Sequence, residues 1–134
     1  MQLIDHLSIA VRDLGLAQHF YSAVLAPIGA HAVFVRDDAI GFGDRNRPDD
    51  DNHSYMSIYL SSQASPDPRR HTCFRAQTRQ AVDDFYAAGI AAGGTDAGAP
   101  GLRNYHPHYY AAFLLDPDGN KLEAVCHRAP SSAE

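Results

Sequence analysis

The chain has 134 residues, of which 45% are hydrophobic, and a formal net charge of −5. A chain of this size folds as one compact domain that buries roughly two-thirds of its unfolded surface, so its stability requires neither a disulfide nor a metal. The excess of acidic over basic residues excludes a nucleic-acid partner, because nucleic-acid-binding proteins contact phosphates through clustered Lys and Arg. Arg69 and Arg70 form the only basic cluster of this sequence.

The two cysteines and the first residues indicate the compartment. Cys73 and Cys126 are too few and too far apart for a disulfide framework or a cysteine zinc site, so both are predicted to be buried thiols in a reducing compartment. The amino terminus shows no basic region followed by an apolar stretch, and no run of about 18 apolar residues occurs. We therefore expect a cytoplasmic protein without a membrane partner.

The first half of the chain predicts a strand, a helix and three more strands. Residues 3–11 alternate as a half-buried strand does. Asp13 is a suitable N-cap for a helix with apolar residues every three or four positions, and Pro27 ends that helix. HAVFVRD, AIGFG and SYMSIYL are short strand candidates, and the acidic stretch 44–52 is predicted to be a solvated loop.

The second half predicts a similar order. A strand begins at His71, and Thr78 caps a helix that ends at Gly93. A Gly/Pro-rich loop is predicted at 97–103, followed by strands at 109–115 and 121–126. The turn between these strands, DPDG, has a proline that sets φ and a glycine that adopts positive φ.

An internal repeat relates the two halves. Several residue types recur at an offset of 65 (for example 71 − 6), across a strand, a helix and the glycine that follows. The matched pairs are His6 and His71, Phe20 and Phe85, Tyr21 and Tyr86, Ala23 and Ala88, and Gly29 and Gly94. The sequence therefore predicts one domain, residues 1–134, built from a first module at about 1–65 and a second at about 66–130.

Strand alternation predicts which side chains lie on the sheet faces that no helix covers. The large apolar residues of each first strand face the helix, which leaves His6 and Ser8, and likewise His71, Cys73 and Arg75, on the other face. The last strand places Glu123 on that face. An unpaired buried carboxylate costs several kcal/mol, so Glu123 is expected to bind a cation or to pair with Arg75.

Three segments carry a resemblance to a known family: DHLSIAVRDL, RRHTCFRA and LLDPDGNKLEAV. Together they resemble the vicinal oxygen chelate superfamily, which includes glyoxalase I, fosfomycin-resistance thiol transferases, extradiol dioxygenases and bleomycin-binding proteins. The resemblance covers almost the whole chain. It implies an α+β fold in which two tandem βαβββ modules form a curved, barrel-like mixed sheet around a cavity, with helices on the outer face. It also implies a homodimer.

The resemblance implies a metal site as well. Metal-dependent members take one ligand from each of the three segments, which here means that His6, His71 and Glu123 would hold one divalent ion: Zn, Mn, Fe, Ni or Co. Glyoxalase I has a fourth, carboxylate ligand, and the repeat offset places its counterpart near Ile58 (123 − 65). The absence of such a group there leaves a set of two histidines and one carboxylate, with open positions for a chelating substrate.

Other residues are predicted to surround the metal. The resemblance implies that the loop NYHPHYY borders the substrate cavity. His127 is interpreted either as a supporting group or as an exposed end residue. His19, His31 and His53 are interpreted as structural or surface residues. The catalytic candidates are Glu123, His106 and Tyr109, and the substrate-binding candidates are Ser8, Tyr55, Tyr59, Arg75, Tyr105 and His108.

These observations favour an enzyme. The preferred prediction is a metal-dependent, glyoxalase-like isomerase or lyase whose small substrate chelates the ion through vicinal oxygens. Two alternatives stay open. One is a metal-free small-molecule binding protein of the bleomycin-resistance type, and the other is a single-domain extradiol-type dioxygenase.

Overall fold

The computed structural model describes residues 1–130, in which eight strands and two helices form two tandem βαβββ modules. This arrangement confirms the predicted α+β fold. The first module contains β1 (His6–Val11), α1 (Leu14–Leu25), β2 (Ala32–Val35), β3 (Ala39–Asp44) and β4 (Ser54–Leu60). The second contains β5 (His71–Arg75), α2 (Arg79–Ala91), β6 (Thr95–Leu102), β7 (Tyr110–Leu115) and β8 (Lys121–Cys126).

Each module has its own four-stranded mixed sheet. The strand order is β1-β4-β3-β2 in the first sheet and β5-β8-β7-β6 in the second. In both, the strand before the helix pairs in parallel with the last strand of the module, and the other pairings are antiparallel. Across residues 1–130 the two sheets do not close into one barrel, so β1 and β5 are both edge strands.

Both helices begin at the residues that the sequence predicts. The Asp13 carboxylate accepts a hydrogen bond from the Leu16 amide at 3.0 Å, and the Thr78 hydroxyl accepts one from the Ala81 amide at 3.0 Å. Gly93 follows α2 with a φ of +99°, a conformation that glycine adopts without strain. Within residues 1–130, neither helix is long and apolar enough to cross a membrane.

The prediction of a loop at 97–103 was wrong, because most of this segment belongs to β6. β6 is an edge strand that pairs with β7 alone, and the register shifts on both sides of Gly98. Gly98 takes a φ of +154° at the irregularity. Glycine and proline argue against a strand by propensity, but an edge strand with bulges tolerates both. Hydrogen-bonded pairing with β7 therefore outweighed the low strand propensity of this Gly/Pro-rich segment.

One hydrophobic core joins the two modules. It lies on the helix side of both sheets and includes α1 residues such as Phe20, α2 residues such as Phe85, and β8 residues such as Leu122. We call the opposite side of each sheet its open face. The first open face carries His6, Ser8, Ala10, Tyr55, Ser57 and Tyr59, which share register positions on β1 and β4. The second carries His71, Cys73, Arg75, Lys121, Glu123, Val125 and Phe113.

A buried carboxylate, Asp116, links the modules at the turn between β7 and β8. Asp116 is 3% exposed and accepts a hydrogen bond of 2.6 Å from the hydroxyl of Tyr21, a fully buried residue of α1. It also accepts from the amides of Asp118 and Asn120 and from the Asn120 side chain. Asn120 in turn donates to the carbonyl of Ala10 on β1 at 3.3 Å. The turn is thus tied to the first module.

Removing the Tyr21 hydroxyl should weaken this link. In Tyr21→Phe, Asp116 loses one of its buried donors, so we expect unfolding by urea to show a loss of about 1–3 kcal/mol. Tyr86→Phe is the matched control, because Tyr86 holds the repeat-equivalent position but is only partly buried. The control should lose less than about 1 kcal/mol. Equal losses in the two variants would contradict a special role for the link to Asp116.

Candidate metal centre and substrate face

Glu123 is the buried acid of the second open face. It lies on β8 between Cys73 of β5 and Phe113 of β7, and it is 3% exposed. The Tyr109 hydroxyl donates to its Oε2 at 2.6 Å, and Nε2 of His71 lies 3.1 Å from its Oε1. Because a carboxylate only accepts, this contact holds the proton of His71 on Nε2. Each carboxylate oxygen therefore has a donor.

The charge of Glu123 changes the acidity of its neighbours. Burial, and then the Glu123 carboxylate, raise the pKa of the Cys73 thiol to about 12. Burial and the hydrogen bond to Glu123 likewise raise the pKa of the Tyr109 phenol above its usual value. The prediction that both cysteines are buried thiols was half right, since Cys126 is buried but Cys73 is exposed as a residue, with only its thiol desolvated beside Glu123.

Arg75 lies on the same face as Glu123 but does not neutralise it. Within residues 1–130, Glu123 has one ion-pair contact, with His71, and none with Arg75. The expectation that Glu123 pairs with Arg75 is therefore not met. The donors that satisfy Glu123 are therefore His71 and Tyr109, and the Arg75 guanidinium is not one of them.

His6 is held by a network on the first open face. Its ring stacks on Tyr55 with centroids 4.9 Å apart, and its Nδ1 lies 2.5 Å from a carboxylate oxygen of Asp5. The other Asp5 oxygen lies 2.5 Å from Nε2 of His53. His6 must donate through Nδ1 to make this bond, which leaves the lone pair of Nε2 free for a ligand.

His53 supports this network from a buried position, whereas the sequence indicated only a structural or surface residue. Burial lowers the pKa of His53, but the Asp50 carbonyl and the Asp5 carboxylate outweigh burial and raise it. Hydrogen bonds from His6 and His53 lower the pKa of Asp5. Sequence reasoning missed Asp5, although its position directly before the predicted ligand His6 was a usable signal.

Of the three predicted ligands, the chain brings two together. His71 and Glu123 are in contact, but among residues 1–130 no group of three or more His, Cys, Asp or Glu side chains is arranged to hold a metal ion. His6 thus contributes to no such group within one chain. The shared core lies behind both open faces, so the packing of the helices does not bring the faces together.

The strand register corrects the counterpart of Glu123 in the first module. Glu123 pairs with Cys73, and the repeat equivalent of Cys73, Ser8, pairs with Ser57. The counterpart is therefore Ser57, at an offset of 66 (123 − 57), and not Ile58, which lies in the core. The offset changes by one between first and last strands, because the connecting segments differ in length. The first module still offers no carboxylate at this position.

The loop before β7 supplies an aromatic cluster around Tyr109. Its ring contacts Tyr105 at 4.8 Å, His106 at 5.5 Å and His127 at 5.2 Å between centroids. Nε2 of His106 lies 2.9 Å from Nδ1 of His127, and the amide of His108 donates to Nδ1 of His106. His106 and His127 therefore contact Tyr109 and support it beside Glu123, while Tyr105 is exposed.

An open groove of about 650 Å³ lies between the first strands of the two modules. Its lining includes two predicted substrate-binding residues, Ser8 and Tyr59, together with the predicted ligand His71. Lys121 also lines the groove, and its ammonium lies 5.0 Å from the centre of the Phe113 ring. Sequence reasoning did not single out Phe113 or Lys121, because their roles depend on pairing across β7, β8 and β5.

The comparisons with known proteins agree with this architecture. The model of the Glyoxalase/Bleomycin resistance protein/Dioxygenase superfamily matches residues 3–124. The chain belongs to this superfamily. A search of curated proteins finds no match. The superfamily assignment confirms the resemblance identified from the three sequence segments.

Solved structures of the superfamily have the same fold over nearly the whole chain. A glyoxalase/bleomycin resistance protein from Albidiferax ferrireducens T118 is 30% identical, with a TM-score of 0.79, and the alignment covers 95% of this chain and 100% of that one. A family enzyme from Burkholderia phytofirmans PsJN is 23% identical, with coverages of 92% and 98% and a TM-score of 0.68.

A fosfomycin resistance protein from Listeria monocytogenes has the same fold at lower identity. It is 15% identical, covers 96% of this chain and 95% of that one, and has a TM-score of 0.68. At this identity the likeness shows a shared fold alone. Membership of the superfamily therefore leaves the reaction to be argued from the residues of this chain.

The hydrogen bond between Asp5 and His6 can be tested through the tautomer of the His6 ring. NMR of ¹⁵N-labelled protein should show His6 as the Nδ1–H tautomer, because the Asp5 carboxylate accepts from that nitrogen. In Asp5→Ala the acceptor is lost, and the His6 signals should shift towards the Nε2–H form. His19, an exposed residue of α1, should keep its signals in both proteins. An unchanged His6 tautomer in Asp5→Ala would contradict the orienting role of Asp5.

Proposed function

We propose that the protein is a metal-dependent, glyoxalase-like enzyme of isomerase or lyase type, and that its metal site is completed between two copies of the chain. In this proposal, His71 and Glu123 come from one copy and His6 from the other. The observation that carries the proposal is the contact between His71 and Glu123 on the second open face. On the first open face, the Asp5 carboxylate orients His6.

The types of donor suit a divalent ion. Glu123 supplies a carboxylate oxygen and the two histidines supply imidazole nitrogens, a set that Zn, Mn, Fe, Ni and Co all accept. Asp5 keeps Nε2 of His6 free of a proton, as a ligand requires. His71 carries its proton on Nε2, the nitrogen that faces Glu123, so metal binding through Nε2 would require this proton to move to Nδ1.

A bound divalent ion would act as a Lewis acid that polarises the vicinal oxygens of a small substrate. The protein's own groups complete the site. The Tyr109 hydroxyl orients the Glu123 carboxylate through a 2.6 Å hydrogen bond, and His106 and His127 pack against the Tyr109 ring. Tyr109 and His106 are therefore the candidates for moving a proton near the substrate.

A second copy of the chain is required if the three ligands are to meet. The chain alone forms no three-ligand group within residues 1–130, and its open faces lie away from the core. Exposed apolar side chains, including Val35 on β2, Leu60 on β4 and Leu102 on β6, are available for contact between copies. A homodimer with two-fold symmetry would create two equivalent sites.

A metal-free binding protein is the second candidate. It is favoured by the fact that both oxygens of Glu123 already have donors, His71 and Tyr109, so the carboxylate is satisfied without a cation. In that case the aromatic loop and the groove would bind a small molecule stoichiometrically. The single-domain dioxygenase alternative uses the same ligands as the preferred function and differs in requiring an oxygen-activating metal.

Replacing the carboxylate of Glu123 separates the two candidates. In Glu123→Gln the amide oxygen can still accept from Tyr109, so apo stability in chelator should stay within about 1 kcal/mol of wild type. Tight divalent metal binding should be lost, and saturating metal should no longer raise the melting temperature. Calorimetric titration and thermal unfolding, each with and without EDTA, measure both. A wild-type protein that neither binds nor responds to metal would support the binding protein instead.

Mixing two inactive variants tests whether the site is shared. His6→Ala and Glu123→Ala homodimers should each lack a complete site, whereas their mixed dimer regains one of its two sites. Random reassociation makes about half of the dimers mixed, so metal stoichiometry should recover to about a quarter of wild type. The readout is bound metal per chain after mild unfolding and refolding of the mixture.

Two controls keep this experiment interpretable. The first control mixes His71→Ala with Glu123→Ala. Every chain in this mixture lacks either His71 or Glu123, so no dimer can combine His6 of one copy with both residues of the other. That mixture should recover no metal. Sedimentation of each sample must show a dimer, and a wild-type monomer that binds one ion per chain would refute the shared site while leaving the metal proposal intact.

A further inference from the structure

We propose that the site selects a small carboxylate substrate, in particular a 2-oxo or 2-hydroxy carboxylate, and that Lys121 is the residue that recognises its negative charge. The proposal rests on the proposed function for the location of the site. The charge preference itself is tested without metal, so the two proposals can fail separately.

The second open face and the adjoining groove are cationic, although the chain carries a net charge of −5. Arg75 and Lys121 occupy the face on either side of the position of Glu123, and Arg69 and Arg70 line the groove with Lys121. Arg103 adds a guanidinium 5.6 Å from the centre of the Phe113 ring, next to Glu123 on the sheet. Such a local excess of positive charge attracts and concentrates anions.

The acidic groups nearby offset only part of this charge, because two carboxylates, Glu123 and Asp67, share the region with five cationic side chains. Both oxygens of Glu123 are occupied by His71 and Tyr109, and Asp67 in the groove lies 3.8 Å from Arg69. Within residues 1–130, Lys121 forms no ion pair with any acidic side chain. Lys121 is partly buried, and an ammonium without a carboxylate partner is available to bind an anion.

Lys121 is singled out by its position. It pairs with His71 across β5 and β8, lies two residues before Glu123 on the same face, and lines the groove. It is also the only lysine of the chain. A carboxylate held by its ammonium would lie beside the contact between His71 and Glu123. The adjacent oxygen of a 2-oxo or 2-hydroxy carboxylate would then face those two side chains.

The probes are pyruvate and pyruvamide, which share the vicinal oxygens and differ in the negative charge. Chemical-shift titration of ¹⁵N-labelled protein in EDTA should show pyruvate binding about tenfold or more tightly than pyruvamide, as expected for one charge-assisted contact. Lys121→Met, which keeps the length of the side chain, should reduce the preference to within about twofold. Lys121→Arg, which keeps the charge, should restore most of it.

Arg47→Met is the matched control for net charge, because Arg47 is exposed in the acidic loop and its loss also removes one positive charge. It should leave the preference for pyruvate unchanged. Equal affinities for the two probes, absence of pyruvate binding, or equal weakening by Lys121→Met and Arg47→Met would overturn the proposal. Any of these results with normal metal binding in the wild type would refute the carboxylate preference alone.

Discussion

A desolvated carboxylate requires hydrogen-bond donors, and on the second open face two neighbouring side chains supply them to Glu123. Burying an unsatisfied charge costs several kcal/mol, so the structure supplies Tyr109 to one oxygen and His71 to the other. Burial, and then the interaction with Glu123, raise the pKa of the Cys73 thiol and of the Tyr109 phenol, so both groups keep their protons. The position of Glu123 therefore decides the hydrogen bonding of Tyr109 and His71.

The packing of the helices decides where this carboxylate can act. A single core joins both modules on the helix side of their sheets, and Tyr21 and Asp116 fasten the modules at the turn before β8. Both open faces are left outside that core. The same packing that stabilises one chain thus leaves His6 on the first open face and the contact of His71 with Glu123 on the second.

The two open faces differ in the side chains that they carry and in how those side chains are held. On the first, Asp5 and His53 orient a single imidazole, His6, against Tyr55. The second combines the anchored carboxylate with several cations and an aromatic ring, Phe113. The two sheets therefore share one strand topology, whereas their open faces carry different side chains.

By itself the sequence determined the two modules, both helix caps and the strand face of Glu123, because these depend on local periodicity and turn chemistry. The same local signal failed at β6, where pairing with β7 outweighed propensity. Only the tertiary structure decided that Ser57 is the counterpart of Glu123, that Asp5 holds His6, and that Lys121 lies beside His71. The first and the last of these depend on register between strands far apart in sequence, which composition and spacing do not specify. The contact of Asp5 with His6 joins neighbouring residues and depends on how their two side chains are oriented.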